Sequence, residues 1–362
     1  MKILLIGPFP NPVTGVAIAN ETLFNNYVKH TDNEIIKINT NYDINKENIG
    51  KFNISKVINS IKVYKELYKI KKVDKVYMTI GQTFFGVLKY FPYFLTAKLL
   101  KKEIIIHIHG NHLWKEYEEL IGFKKKILFR IVSMTNTGIV SSESLKKNLT
   151  PFLKDNQIHT VNNFVEDFLF SSVVTHEFDT LKIIYMSHLT KEKGILDLLE
   201  ALILLDRKGI NFKAKIAGGI DISIQDDIEK LLSKLAEKVE YVGELGKNRK
   251  EFLNWGNIFV LPTYYAMEGQ PISIFEAMAL GNVLVLTKHA GIPDIFKENI
   301  NGFYVDKHSP TSIFEKLINI SKNISIIKSI ATHNTFEAKG KYQVKAYVNN
   351  LNNIFENKIC KP

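Results

Sequence analysis

Short runs of β-branched and other apolar residues alternate with amphipathic segments along the whole chain. Five such runs precede residue 170 and six follow it, at 3–6, 34–38, 75–80, 103–109, 138–140, 181–186, 212–217, 239–242, 258–261, 283–286 and 303–305. Apolar runs of this length, separated by helical segments, are typical of parallel strands that are covered by helices on both faces. The pattern predicts an α/β protein with two Rossmann-like, doubly wound domains.

The length of the chain also favours two domains. A chain of 362 residues exceeds the size at which a single hydrophobic core keeps growing. The strand and helix pattern is weakest over residues 164–180, which are small polar, acidic and scattered aromatic residues. We therefore predict a first domain over 1–168 and a second over 169–340, with a cleft between them. Residues 341–362 are predicted to form a C-terminal helix that packs back towards the first domain.

Cysteine content and hydropathy restrict the compartment. Cys360 is the single cysteine, so the chain has no intrachain disulfide and no cysteine-based metal site. Its apolar runs are too short to span a bilayer, and the first run is too short for the core of a signal peptide. These features predict a cytoplasmic protein.

The net charge of +11 is concentrated in the first half of the chain. Residues 1–170 hold 24 Lys and Arg against 15 Asp and Glu, an excess of +9. Basic, apolar segments at 56–72, 83–102 and 123–130 suit peripheral docking on an anionic membrane surface, but also suit ordinary helices that cover a sheet. Enrichment in Lys, Asn and Ile can also reflect an AT-rich genome. No basic and aromatic RNA-binding signature is present, so nucleic acid is not an expected partner.

The most informative stretch is 262–281, which follows the apolar run 258–261 and reads PTYYAMEGQPISIFEAMALG. Pro271 suits the first turn of a helix, where its missing N–H leaves no hydrogen bond unmade. The amides of Ile272 and Ser273 would then point towards the carboxyl ends of the strands, where α/β sheets bind ligands. This arrangement predicts a phosphate-binding helix start.

Two glutamates belong to this stretch. Glu268 lies in the loop and Glu276 on the helix, with seven residues between them. Carboxylates near bound phosphate are suited to accept hydrogen bonds from sugar or ribose hydroxyls. The alternative is that both are solvated surface acids. Because both come from one loop and the helix that it opens, they do not flank a scissile bond as the paired carboxylates of glycoside hydrolases do.

Four other residues are candidates for the same chemistry. Lys193, in SHLTKEKGI, opens a predicted helix, where a cation would neutralise the charge of a bound phosphate; the alternative is a solvated lysine. His107 and His109 lie two apart on one strand and face the same side, but no acidic or cysteine partner is close in sequence and no metal site is expected. Gly15 occupies the first strand-to-helix turn, where a side chain would block close approach of a ligand to the backbone.

Residues 268–276 match the signature E-G-x-P-x-x-x-x-E, and the chain resembles the retaining glycosyltransferase family 4 over nearly its whole length. The resemblance extends to 2–22, 104–110, 160–166, 185–201, 216–219 and 241–245. It implies the GT-B fold, in which two Rossmann-like domains face each other across a cleft, with 1–168 as the acceptor-binding domain and 169–340 as the nucleotide-sugar-binding domain. It also implies a nucleoside diphosphate sugar as co-substrate, with a UDP-sugar favoured, and neither a cofactor nor a metal.

The same resemblance implies roles for individual residues. Glu268 is expected to contact the hydroxyls of the donor sugar, Glu276 the ribose and Lys193 the diphosphate. His109 matches the family's histidine near the reacting sugar, and His107 is expected to pack beneath it. Gln270 stands where a side chain touches the sugar. The residues expected to bind the donor are Gly15, His188, Gly269, Gln270, Pro271, Ile272, Ser273 and Glu276.

The sequence departs from the family pattern at two positions, in the loop of Lys193 and in the turn of Gly15. His188 stands where many relatives have arginine, so a second permanent cation is missing there. Thr14 replaces the first of two glycines that relatives often carry before the helix of Gly15.

The sequence thus predicts a retaining, metal-independent glycosyltransferase of bacterial surface polysaccharide biosynthesis. Its expected acceptor is a glycan or lipid-linked saccharide at the inner face of the cell membrane, and the departing phosphate is expected to deprotonate the acceptor hydroxyl. Two alternatives stay open. One is a nucleotide-sugar epimerase of the same fold, which needs no second sugar substrate, and the other is a catalytically idle, transferase-like subunit that binds a glycan or a partner.

Overall fold

The computed structural model describes residues 1–41, 64–170, 180–235 and 237–358. They form two compact units, each built around one parallel six-stranded sheet. The first unit comprises Met1–Asn163, Met267–Gln270 and Val344–Pro362, and the second comprises Phe164–Ala266 and Pro271–Gln343. The chain therefore leaves and re-enters the first unit twice after Asn163.

The sheet of the first unit has the strand order β2-β1-β3-β4-β5-β6. Its strands are β1 (Lys2–Gly7), β2 (Glu34–Asn39), β3 (Lys75–Met78), β4 (Glu103–Ile108), β5 (Thr137–Val140) and β6 (Ile158–Thr160). Its described helices are α1 (Gly15–His30), α2 (Phe84–Leu88), α3 (Phe91–Leu99), α4 (Leu113–Glu119) and α5 (Gly122–Val132). The sequence pattern missed β6, because its three residues include His159 and Thr160 and form no apolar run.

The sheet of the second unit has the order β12-β11-β10-β7-β8-β9. Its strands are β7 (Leu181–Met186), β8 (Phe212–Ala217), β9 (Val239–Gly243), β10 (Ile258–Leu261), β11 (Val283–Thr287) and β12 (Gly302–Val305). Its helices are α6 (Ile195–Arg207), α7 (Gln225–Ser233), α8 (Arg249–Trp255), α9 (Ile272–Ala279), α10 (Pro310–Ser321) and α11 (Ile324–Lys341).

The central strands are buried on both faces, as their unbroken apolar sequences require. Every residue of β10 and β11 is buried, and β10 pairs in parallel with β7 on one side and β11 on the other. α6 covers this sheet with an apolar stripe whose buried residues recur at helical spacing, at Ile195, Leu198, Leu199, Ala201, Leu202 and Leu205. The prediction of two doubly wound α/β units is confirmed.

A last helix, α12 (Val344–Phe355), belongs to the first unit and packs on α1. The hydroxyl of Tyr27 on α1 donates a hydrogen bond of 2.7 Å to the Asn352 side chain on α12. The ring of Phe355 lies 6.0 Å from that of Tyr27 and 5.2 Å from that of Tyr77 on β3, measured between centroids. The apolar face of α12 thereby completes the core beside α1.

Parts of three predicted features lie outside the described residues. They are residues 56–63 of the first basic segment, residues 171–179 of the predicted interdomain link, and Cys360. In the described ranges, no helix is both long and apolar enough to cross a membrane.

Candidate active site

The loop from β10 to α9 carries the glutamate motif. α9 begins at Ile272, and Pro271 is its N-cap, with φ −61° and ψ 123°. Pro271 thus precedes the first turn instead of lying within it, because its extended ψ angle does not continue the helix. The first amide of the segment to bond back is that of Ile274, which donates to the Pro271 carbonyl at 3.2 Å. The amides of Ile272 and Ser273 come before that bond and are placed to bind an anion.

The Met267–Gln270 segment lies against the end of β4 in the first unit. A Cβ atom on Gly269 would lie 1.9 Å from the carbonyl oxygen of His109, a distance that no side chain tolerates. A Cβ atom on Gly110 would lie 2.5 Å from the carbonyl oxygen of Met267. Glycine at both positions therefore lets the two backbones touch, which brings Glu268 and His109 to one edge of the first sheet.

Gln270 holds this segment in place. Its Oε1 accepts a 2.7 Å hydrogen bond from the Asn163 amide, and its carbonyl oxygen accepts one of 2.6 Å from the Asn163 side chain. Its Nε2 donates to Oδ1 of Asn162 at 3.1 Å. Only 3% of Gln270 is exposed, and its side-chain amide is hydrogen-bonded to Asn162 and Asn163. Its assignment as a contact of the donor sugar stays a prediction.

The two histidines of β4 are stacked. Their ring centroids lie 3.9 Å apart with an angle of 25° between the planes, and His107 is fully buried beneath His109. Nδ1 of His107 lies 2.7 Å from the Tyr77 hydroxyl. Burial lowers the pKa of His107 well below its usual range and lowers the pKa of His109 to about 4. Both rings are therefore neutral near pH 7, and Nε2 of His109 is buried without a hydrogen-bond partner among the described residues.

Lys193 and His188 both lie on the loop that follows β7. Lys193 ends a short 3₁₀ turn, and its Nζ lies 5.1 Å from the ring centroid of Tyr265. The Tyr264 amide donates to the Glu192 carbonyl at 2.8 Å, so this turn packs on the start of the loop that follows β10. His188 is exposed, and a Cβ atom on Gly219 would lie 3.3 Å from its Nδ1.

Gly15 is the first residue of α1. The Thr14 side chain caps the helix by accepting a hydrogen bond of 3.2 Å from the Ala17 amide. A Cβ atom on Gly15 would meet nothing within 4 Å, so the fold itself leaves that position open. In the described part of the chain, no cluster of three or more His, Cys, Asp or Glu residues is arranged to hold a metal ion.

Both glutamates of the motif are buried, which contradicts the alternative that they are solvated surface acids. Glu268 is 7% exposed and Glu276 is 2% exposed. Oε1 of Glu276 lies 3.1 Å from Nη1 of Arg249, and Nη2 of the same arginine forms an ion pair with Glu166. Burial, reinforced by the charge of Glu166 and opposed by that of Arg249, raises the pKa of Glu276 to about 7.

Arg249 and Glu166 are the residues that sequence reasoning missed. Glu166 ends the segment 160–166 that resembles the family but was given no role, and Arg249 belongs to no motif and stands in a lysine-rich run, GKNRKE. One signal was available, since arginine occurs at only three positions, 130, 207 and 249, among 48 basic residues. In a chain whose other basic residues are nearly all lysine, an arginine is expected where one planar guanidinium group pairs with two carboxylates.

Residues 171–334 match the family model described as glycosyl transferases group 1. The chain is 30% identical over 147 residues to the amylovoran biosynthesis glycosyltransferase AmsK of Erwinia amylovora, covering 39% of this chain and 36% of that protein. It is 28% identical over 212 residues to an uncharacterised glycosyltransferase of Methanocaldococcus jannaschii, covering 57% and 52%. The chain thus spans about a third to a half of the length of these relatives.

The whole fold is also found among solved structures. The crystal structure of Anabaena Alr3699/HepE in complex with UDP superposes with a TM-score of 0.75 at 13% sequence identity, covering 99% of this chain and all of that one. An identity this low supports the fold alone. Residues 171–334 are therefore similar to the glycosyl transferases group 1, and each unit of the chain has the doubly wound architecture of the GT-B fold.

Proposed function

We propose that the chain is a retaining, metal-independent glycosyltransferase that moves a sugar from a nucleoside diphosphate sugar to a glycan or lipid-linked saccharide. One observation carries the proposal. The loop and helix start between Glu268 and Glu276 combine two buried carboxylates with the amides that open α9, in a chain whose residues 171–334 match a glycosyltransferase family. Amides suit a diphosphate and carboxylates suit sugar hydroxyls, so the segment fits a sugar nucleotide along its length.

In the second unit, the proposed ligand is the nucleotide part of the donor. The amides of Ile272 and Ser273 bind the diphosphate, and the ammonium group of Lys193 neutralises the charge that grows on the departing nucleotide. Glu276 accepts hydrogen bonds from the ribose hydroxyls. A uridine nucleotide is favoured, because similar crystal structures, those of Anabaena HepE and S. aureus TarM among them, are complexes with UDP.

In the first unit, the proposed roles concern the sugar. Glu268 accepts hydrogen bonds from the hydroxyls of the donor sugar, and the neutral ring of His109 lies at the same sheet edge. The bond between C1 of the sugar and the diphosphate oxygen breaks, and the acceptor oxygen bonds to C1 on the same face. The acceptor proton passes to the departing diphosphate oxygen, so no side chain serves as nucleophile.

A panel of nucleoside diphosphate sugars tests the proposal. Binding is measured by calorimetry and slow donor hydrolysis by release of the nucleotide, with and without a chelator. We expect one donor to bind and to be hydrolysed, with no effect of the chelator. Activity that disappears with chelator and returns with a divalent cation overturns the metal-independent mechanism. Conversion of the donor to an epimer without an acceptor points to an epimerase, and binding without any turnover points to an idle subunit.

We also propose that the first unit docks on an anionic membrane, where lipid-linked acceptors lie. The surface that supports this proposal is the start of α5, which we call the α5 patch: Ile121, Phe123, Lys124, Lys125 and Lys126. Ile121 is 84% exposed and Phe123 is 75% exposed, and three consecutive lysines follow them. Exposed apolar side chains beside lysines fit the interface of an anionic bilayer. Relatives such as AmsK, named for polysaccharide biosynthesis, support a role in surface polysaccharide synthesis.

A further inference from the structure

Arg249 lies between two carboxylates that are distant in sequence. Its Nη2 forms an ion pair with Glu166, and its Nη1 lies 3.1 Å from Oε1 of Glu276. The contact to Glu276 is an ion pair whose angle falls outside that of a good hydrogen bond, since Oε1 has no hydrogen-bond partner among the described residues. One guanidinium fork thus serves both acids, an arrangement that a lysine cannot reproduce.

The fold fixes both sides of this contact. Arg249 is the first residue of α8, directly after a short 3₁₀ turn, and its Cζ lies 5.5 Å from the ring centroid of Phe168. Glu166 follows Val165, whose amide donates a hydrogen bond of 2.7 Å to the Tyr342 carbonyl. All of these residues belong to the second unit. The side chain of Arg249 is 19% exposed and that of Glu276 only 3%, so the pair is shielded from water on the side of α9.

Among the described residues, Arg249 and Glu166 are the charged groups that shift the pKa of Glu276. The short turn Asp167–Phe170 also packs on α9 and adds the carboxylate of Asp167, which is not a cation. β11, which packs on α9, contains no ionisable residue. α11 also packs on α9, but its Glu337 bonds to Asn301 and Lys341. A buried carboxylate is costly unless a cation or hydrogen bonds compensate its charge. Arg249 is therefore the group that compensates it, while Glu166 competes for the same arginine.

We propose that Arg249 is the positioning residue for Glu276. The guanidinium group of Arg249 holds Oε1 and so leaves Oε2 directed to the ribose of a nucleoside diphosphate, while Glu166 competes for the same arginine and weakens its effect on Glu276. This inference rests on the proposed function, because it assigns Glu276 to the donor. It adds a residue outside the glutamate motif to the machinery that binds the nucleotide.

Replacement of Arg249 and replacement of Glu166 are expected to shift the pKa of Glu276 in opposite directions. Removal of the arginine charge takes away the interaction that favours the ionised form of Glu276, so the pKa of Glu276 rises further. Removal of the Glu166 charge takes away a repulsion, so the pKa of Glu276 falls. If the ionised carboxylate binds the ribose, nucleotide affinity decreases as the pH falls through the pKa of Glu276. Compared with the wild type, the midpoint of this decrease is expected at a higher pH in Arg249→Met and at a lower pH in Glu166→Gln.

The experiment measures binding of UDP by calorimetry between pH 5.5 and 8.5, using the full chain. Wild type, Arg249→Met, Glu166→Gln, Glu276→Gln and the double variant Arg249→Met with Glu276→Gln are compared. We expect Arg249→Met to weaken binding about tenfold at pH 7.5, the scale of one lost hydrogen bond to a charged group. Arg249→Met should add nothing to Glu276→Gln, because the arginine acts through the glutamate. The phosphate of UDP titrates alike in all proteins, so the differences between variants report the protein.

The exposed Arg207 at the end of α6 provides the matched control, because Arg207→Met removes the same charge without touching Glu276. It should leave UDP affinity and its pH profile unchanged. Equal UDP affinity in wild type and Arg249→Met, or additive effects in the double variant, overturn this inference and leave the proposed function standing. A wild-type protein that binds neither UDP nor any other nucleoside diphosphate overturns both. Thermal unfolding of each variant verifies that a loss of binding is not a loss of folding.

Discussion

At the scale of single residues, Lys193 of the second unit and Glu268 of the first are proposed to contact different parts of the donor. Lys193 lies beside Tyr265 after β7, and Glu268 is buried in the segment that packs on β4. Each is proposed to make a contact that strengthens in the transition state, and loss of about 1.4 kcal/mol there lowers the rate tenfold.

We therefore expect Lys193→Ala and Glu268→Ala each to lower turnover at least about tenfold, measured with saturating donor and acceptor. Lys191→Ala and Glu251→Gln remove like charges at exposed positions of the second unit and should keep wild-type turnover. Wild-type rates in both alanine variants would remove these two residues from the reaction.

The stacked histidines make stability sensitive to acid. Since the pKa of His109 falls from its usual 6.5 to about 4 on folding, the native protein binds fewer protons than the unfolded chain between these values. Folding stability from this group is fully present above about pH 6.5 and is lost as the pH falls through 4. His107, whose pKa is lowered further, acts in the same direction.

We expect the urea midpoint of the wild type to fall steadily from pH 6.5 to pH 4.5, and to fall less in His109→Gln. An NMR titration of the imidazole should place the midpoint of His109 near pH 4. A midpoint at or above 6 would show that the ring is solvated, contrary to the buried stack with His107.

At the level of residues, the sequence predicted local structure where a short pattern carries the information, as at the start of α9. Glu268, Pro271 and Glu276 lie in one short stretch of sequence, so the loop and helix that carry them could be predicted without a structure. Their roles remain predictions. Arg249 and Glu166 come together only because the chain brings α8 and the segment after β6 to one face of α9. No spacing rule connects residues that are 83 positions apart.

At the scale of elements, the close contact between Gly269 and the end of β4 is the sharpest constraint. Gly269→Ala places a Cβ atom 1.9 Å from the His109 carbonyl, which neither backbone can accept without moving. We expect this variant to lose at least about tenfold in turnover, because a displacement near 1 Å at a reacting group is costly.

The control is Gly340→Ala, at an exposed position near the end of α11 where a Cβ atom meets nothing. It should keep full activity and gain up to about 1 kcal/mol in unfolding free energy, since alanine favours a helix over glycine. Wild-type turnover in Gly269→Ala would show that the Met267–Gln270 segment has room to shift.

Strands that contain an apolar run were predictable from the sequence. The short strand β6 and the place of residues 267–270 in the fold were not. Ten of the twelve strands correspond to apolar runs within one residue at each end, and the start of α9 was placed within one residue. β6 has three residues, of which only Ile158 is buried, so no apolar run marks it in the sequence; its pairing with β5 makes it a strand. Nor does composition reveal that residues 267–270 belong to the first unit, because that depends on backbone contacts of Gly269 and Gly110.

At the scale of the whole molecule, the charge excess of the first half predicts reversible membrane docking. Each lysine near an anionic surface contributes about 1 kcal/mol, and salt screens this attraction within roughly 10 Å. We expect the protein to sediment with vesicles that contain anionic lipid, to bind neutral vesicles weakly, and to be released by raised salt.

Two variants locate the surface. Lys124, Lys125 and Lys126 changed together to Glu tests the α5 patch, and Lys62, Lys65 and Lys69 changed together to Glu tests the first basic segment, where Lys62 lies outside the described residues. Loss of sedimentation in the first variant alone supports the α5 patch. Equal sedimentation on both lipids, or none, leaves the basic half explained by genome composition.

The packing of α12 on α1 joins two segments of the first unit that lie far apart in the chain. Tyr27 bonds to Asn352, which is 325 residues further along the chain, so during synthesis its hydroxyl gains this partner only after the second unit has been made. Until then, the first unit exposes the apolar face of α1 on the ribosome. A ribosome stalled before residue 344 therefore presents an unfinished core to chaperones and proteases.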